Sequence, residues 1–201
     1  GQDFSEDELA AALEGPVPPT TWDRLANFVA PDKASGRYRF RHALMRDSAY
    51  AGLPYRWRRT LHARIGSFIE TQPDAAAQVE RLAVHFGVAK DKTRAWRYGA
   101  AAGDKARARF AFAEASRFYD AALPYADAEP DHEERFRVVD SNAYCLQTFG
   151  NLAGALEAIQ RGRRLVKGHD LQRARLYLQE ATVLLTLGEL DDADKNFARG
   201  V

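Results

Sequence analysis

The chain holds one cysteine and one methionine in 201 residues. A single thiol, Cys145, cannot close an internal disulfide, which excludes a disulfide-stapled scaffold and fits a reducing cytoplasm. Cys145 lies in an apolar helical pattern without a basic neighbour to activate it, so it reads as a small core residue. The net charge of +1 identifies no class of partner. No apolar run approaches the roughly 20 residues of a membrane span, and no signal peptide is present. The chain also lacks a Gly-rich phosphate loop, so alone it is not expected to bind ATP, and it lacks a nucleophile elbow. His42, His62, His85, His132 and His169 are scattered in sequence and form no close His/Cys/carboxylate set. The expectation is a non-catalytic chain that needs no metal or cofactor.

Apolar content of 46% and charged content of 28% are those of a globular protein able to bury a core. The charge is segregated. Arg37 to Arg64 contains eight arginines against Asp47 alone, whereas Asp3 to Glu14 and 126–134 are acidic. Within the basic stretch, Tyr38 and Phe40 alternate with Arg37, Arg39 and Arg41, the period of a short strand with one buried face. A helix follows through Leu44, Met45, Ala49 and Tyr50, stops at Gly52, and restarts after Pro54 with the stripe Trp57, Leu61, Ile65, Phe68 and Ile69.

Upstream, Ser5 with Glu8 three residues on is a capping-box spacing for a helix ending at Gly15-Pro16. Thr20 or Thr21 then caps a second helix expected to run through Trp22, Leu25, Ala26 and Val29. Two short helices before a strand suggest a winged-helix-like unit, with the partner strand near Phe28 to Ala30.

The second half is helical throughout and repeats. Gly150, Ala155 and Ile159 match Gly188, Ala193 and Phe197, and Ala143 and Leu146 match Ala181 and Leu184. Gly103, Ala106, Phe110, Ala115 and Tyr119 form an earlier copy with Phe110 in the glycine's place. The offset of about 40 residues exceeds the roughly 34 of a tetratricopeptide repeat, and the excess fits the loops 124–132 and 167–170. Small residues at matched positions let two helices approach, and hairpins that cannot bury their own apolar faces must stack. The first helix of each hairpin is expected to present Arg97, Asp104 and Arg107, then Arg137, Asp140, Tyr144 and Gln147, then Arg175, Leu178 and Thr182. The arginines 97, 137 and 175 recur in one register.

The strand, F-x-H, helix and R-R-x-L-H pattern resembles a known family. Phe40, His42, Leu44, Arg46, Tyr50, Leu53, Arg59, Leu61 and His62, followed by Leu82, Ala83 and His85, look like the region after the ATPase module of large bacterial STAND-type signalling proteins. These include class III adenylate/guanylate cyclases and large LuxR-type regulators. The resemblance implies an all-α (mainly helical) chain: a winged-helix-like unit over residues 1–72, a linking helix over 73–92, and a TPR-like α-α superhelix over 93–201 with its last repeat truncated. It implies His42 as a nucleotide-sensing residue in a full-length parent, and Arg37, Arg39, Arg41, Arg56, Arg58 and Arg59 as domain-docking residues. The start at Gly1 and the helical pattern running to Val201 are read as marks of a piece of a longer chain.

The function expected is therefore regulatory: binding a protein or peptide, or packing on other domains of the same chain, with self-association through an open repeat edge. Two alternatives stand beside it, a winged-helix DNA-binding regulator and a stand-alone peptide adaptor. Nucleic-acid binding is disfavoured because the second helix carries only Arg24, beside Asp23.

Overall fold

The structure, a computed structural model, describes residues 3–32 and 34–201. It is mainly helical, with eleven α-helices and one three-stranded sheet among those residues. The chain forms two compact units that meet in sequence at Asp91 and Lys92.

The first unit begins with β1 (Asp3–Phe4), α1 (Glu6–Leu13) and α2 (Thr20–Leu25), followed by the hairpin strands β2 (Val29–Asp32) and β3 (Arg37–Phe40). The sheet is antiparallel in the order β1-β3-β2, with Phe4 opposite Tyr38 and Val29 opposite Phe40. The capping box forms as the spacing requires: Ser5 Oγ accepts from the Glu8 amide at 3.1 Å, and Glu8 Oε2 accepts from the Ser5 amide at 3.1 Å. The second helix is shorter than its pattern. It ends at Leu25, no threonine side chain caps it, and Val29 pairs in the sheet, because Val29 is needed on the buried side of β2. The Trp22 and Tyr38 rings stack at 3.9 Å and fix α2 against β3.

Three longer helices complete this unit: α3 (Ala43–Gly52), α4 (Tyr55–Glu70) and α5 (Val79–Ala89). Pro54 stands at the N-cap of α4 rather than in its first turn. The α4 stripe buries Ile69 fully and half-buries Leu61, Ile65 and Phe68, while Trp57 is left exposed. Helix α5, read from sequence as a separate linker, packs on α4 through Leu82 and Phe86 inside the first unit. Gly66 permits that approach, since a Cβ there would lie 3.1 Å from the Phe86 ring.

The second unit contains α6 (Lys92–Ala108), α7 (Phe112–Ala122), α8 (His132–Thr148), α9 (Leu152–Leu165), α10 (Asp170–Leu187) and α11 (Leu190–Gly200). Each helix packs chiefly on its neighbours in sequence, giving three stacked hairpins. The small residues expected at the contacts are there: Ala115, Ala143, Ala155, Ala181 and Ala193 are fully buried. Tyr119 and Ile159 fill the spaces beyond them. Gly150 and Gly188 turn each hairpin with φ of 91° and 82°, and Phe110 makes the same left-handed turn at 61°. A bulky residue rarely takes that conformation because its Cβ crowds the following carbonyl.

Candidate recognition surfaces

Of the six docking arginines in the first unit, three are committed to its own structure. Arg37 bonds Asp3 at 2.6 Å and the buried Glu8 at 2.8 Å, and Glu8 is also held by Arg81 at 2.6 Å. Arg41 Nε donates to the Ala26 carbonyl and Arg59 Nε to the Ala89 carbonyl. Arg58 lies over the Tyr50 ring at 5.3 Å. Arg39, Arg41, Arg56 and Arg59 are all exposed, and Arg39 and Arg56 have neither a side-chain hydrogen bond nor an ion pair among the described residues. Folding thus engages Arg37, Arg41 and Arg59 with carboxylates and carbonyls of the unit itself. His42 is exposed at the N-cap of α3, where its side chain makes no capping bond.

The histidines, scattered in sequence, meet in two pairs. His132 and His169 stack at 3.7 Å in the second unit. In the first, the His62 and His85 rings lie 4.9 Å apart and His62 Nε2 is 3.2 Å from Tyr50 Oη. Burial pushes His85 down to about 3 and His62 down as well, so both rings stay neutral at ordinary pH. Among the described residues no set of three or more His, Cys, Asp and Glu could hold a metal.

On the first-helix face of the second unit, the structure divides the expected groove residues. Asp104 accepts from the buried Tyr119 hydroxyl at 2.6 Å and from Arg137 at 2.7 Å, and Arg137 also grips Glu134. These bonds tie α6, α7 and α8 together, and Arg107 reaches the same phenol. Burial and the Asp104 carboxylate hold the Tyr119 hydroxyl well above its usual range. A second link runs from Asn142 and Arg161 to Asp120, joining α8, α7 and α9. Arg175 covers the Phe136 ring at 4.8 Å and Arg97 the Tyr98 ring at 5.2 Å, so the recurring arginines serve packing as much as display. Leu178 lies against the backbone of Gly200 on α11, and the Thr182 hydroxyl donates to the Leu178 carbonyl. Thr182 stays exposed and Leu178 is half-buried.

What this face leaves outward is a cluster of aromatic rings. Tyr144 is 50% exposed and stands edge-on to Phe112 at 5.9 Å, which in turn meets Phe110 edge-on at 6.1 Å. Phe110 is 80% exposed. One helical turn before Tyr144, Asp140 is half-buried, and burial raises its pKa against the opposing pull of Arg175 and Arg107. Gln147 lies one turn beyond. Sequence reasoning named Tyr144, Asp140 and Gln147 but passed over Phe110 and Phe112, although Phe110 in a glycine's place was the visible signal. Phe112 packs half-buried on the core, while Phe110 and Tyr144 are exposed and gain little from burial.

No helix among the described residues is long and apolar enough to cross a membrane. No protein-family model matches the chain, and no curated protein matches it significantly.

Proposed function

We propose that this chain is a non-catalytic recognition and regulatory region of a multidomain bacterial signalling protein of the STAND type, working in the cytoplasm. In this reading the first unit is winged-helix-like, supported by its strand, two helices and hairpin in the sheet order β1-β3-β2. The second unit is tetratricopeptide-like, supported by three stacked hairpins with small residues at matched contacts. Its first-helix face takes a protein or peptide segment, from another chain or from another domain of the same protein.

The observation that carries this reading is the outward cluster Phe110, Phe112 and Tyr144 beside Asp140 and Arg175. Phe110 sits in backbone geometry that favours glycine and buries almost nothing, so folding does not account for it. Exposed aromatic anchors next to charged groups are the chemistry of a protein-binding hot spot. The DNA-binding alternative finds less support, because Arg37, Arg41 and Arg59 are spent within the first unit.

The test is selection of peptides from a displayed random library on the purified protein. Selected peptides are expected to share an apolar or aromatic residue, and to bind at least about tenfold more weakly to Tyr144→Ala and to Phe110→Gly. Peptides that bind both variants as well as the parent would refute this face as the recognition surface.

A further inference from the structure

A cleft of about 740 Å³ opens within the first unit, between its sheet and helices α1, α3, α4 and α5, with Leu25 of α2 at its wall. That volume lies in the range of small-molecule pockets. Its wall is mostly apolar, built from residues such as Leu9, Val29, Phe40, Leu61, Ile65 and Val84. Helix α3 stands at its edge with Leu44 80% exposed, so the α3 side is not sealed by packing.

The polar groups of the wall are unevenly matched. Its three carboxylates each have an arginine: Asp3 bonds Arg37, Glu8 bonds Arg37 and Arg81, and Asp47 bonds Arg46. Arg58 is the wall arginine with no carboxylate, and its Nε is buried without a hydrogen-bond partner. The Nδ1 atoms of His62 and His85, both on the same wall, are likewise buried and unpartnered. A buried donor or acceptor without a partner is costly, and three such atoms on one wall are more than chance packing leaves. Arg58 can only donate, whereas each neutral imidazole Nδ1 donates or accepts according to its tautomer, so Arg58 Nε is the atom whose need is fixed. The unmet need is for an acceptor, preferably one with negative charge.

We propose that this cleft binds a small amphipathic carboxylate, whose apolar chain lies along Leu61, Ile65 and Val84 and whose carboxylate meets Arg58 beside His62 and His85. The carboxylate supplies the acceptor oxygens and the charge that the wall lacks, and the chain covers apolar surface now open to water. The occupant is a free molecule rather than a membrane lipid, because the unpartnered atoms are buried and belong to residues of a cleft walled by the sheet and by helices α1 to α5.

The experiment is titration of dodecanoate, below its micelle concentration, into the protein by calorimetry, with dodecanol as the uncharged match. One molecule is expected to bind per chain, with a negative heat-capacity change from apolar burial. Arg58→Leu should weaken dodecanoate at least about tenfold and leave dodecanol within about twofold. Val84→Trp places an indole in the cleft from a position 53% exposed, so the fold tolerates it, and it should abolish both. No saturable binding, binding unchanged in Val84→Trp, or an equal loss of both probes in Arg58→Leu would each overturn the proposal. Sedimentation with phosphatidylglycerol vesicles separates the two sources of such a headgroup. Vesicle binding abolished by Val84→Trp would overturn the free-ligand assignment, and its absence alongside dodecanoate binding would support it.

Discussion

Gly103 of α6 faces Tyr119 of α7, and the space between them decides how closely the first hairpin of the second unit closes. A Cβ added at Gly103 would lie 2.5 Å from Tyr119 Cδ1 and 2.8 Å from Cζ, more than half an ångström inside ordinary contact. The ring cannot swing aside: Tyr119 is fully buried and its hydroxyl is held at 2.6 Å by Asp104, which also anchors Arg137. Gly103→Ala must therefore part the two helices or break the phenol bond. Overpacking of this kind costs about 1–3 kcal/mol, and losing a hydrogen bond to a charged group costs about 1.5–3 kcal/mol. The gain in helix propensity returns only about 1 kcal/mol. The net loss is about 0–2 kcal/mol, or up to roughly 1 M in urea midpoint for a slope near 2 kcal/mol/M. The assay is urea unfolding followed by Trp96, which is buried in the second unit, after Trp22 and Trp57 are changed to Phe. Gly87→Ala provides the contrast in α5, where a Cβ meets nothing within 4 Å, and should raise the stability of the first unit by about 0.5–1 kcal/mol, read from Trp57 in a chain that keeps it. A Gly103→Ala protein more stable than its parent by about 1 kcal/mol, the full gain in helix propensity, would refute the close-approach argument.

Other perturbations reach other parts of the structure. His85 has its pKa lowered from 6.5 to about 3 by burial, so the unfolded chain takes up a proton that the folded one refuses. Its contribution is complete above pH 6.5 and falls as pH drops toward 3, with a slope of up to about 1.4 kcal/mol per pH unit. His85→Phe should flatten the pH dependence of first-unit melting between pH 6.5 and 4, and an unchanged slope would count against it. Glu8→Gln leaves Arg37 and Arg81 facing a neutral amide at a buried position and should destabilise the first unit by about 1–3 kcal/mol, read from Trp57 fluorescence in urea. The Cys145 thiol is fully buried and burial pushes its pKa up to about 11, so iodoacetamide should label it only at the rate at which the second unit opens. Rapid labelling of the native protein would contradict that packing.

The amino-acid sequence by itself determined the local and periodic features. The Ser5–Glu8 box, the short strand at Tyr38 and Phe40 and the stop before Pro54 each depend on residues within a turn or two of one another, and the recurrence of Gly150 with Gly188 is a period read along the chain. Such features are legible because backbone geometry and helical period act locally. The matched small residues at Ala115, Ala155 and Ala193 were equally readable, since each repeat solves the same packing problem. Tertiary structure alone decided which polar residues were consumed. A run of arginines looked like one basic face, yet Arg37, Arg41 and Arg59 reach partners 34, 15 and 30 residues away. His62 and His85 were separate marks in the sequence, and only the packing of α5 on α4 brings their rings together. The same holds for Asp104, expected in an open groove and found joining three helices. Charge and hydrogen-bond pairing are settled by distances of a few ångströms between remote segments, and no local pattern encodes those distances.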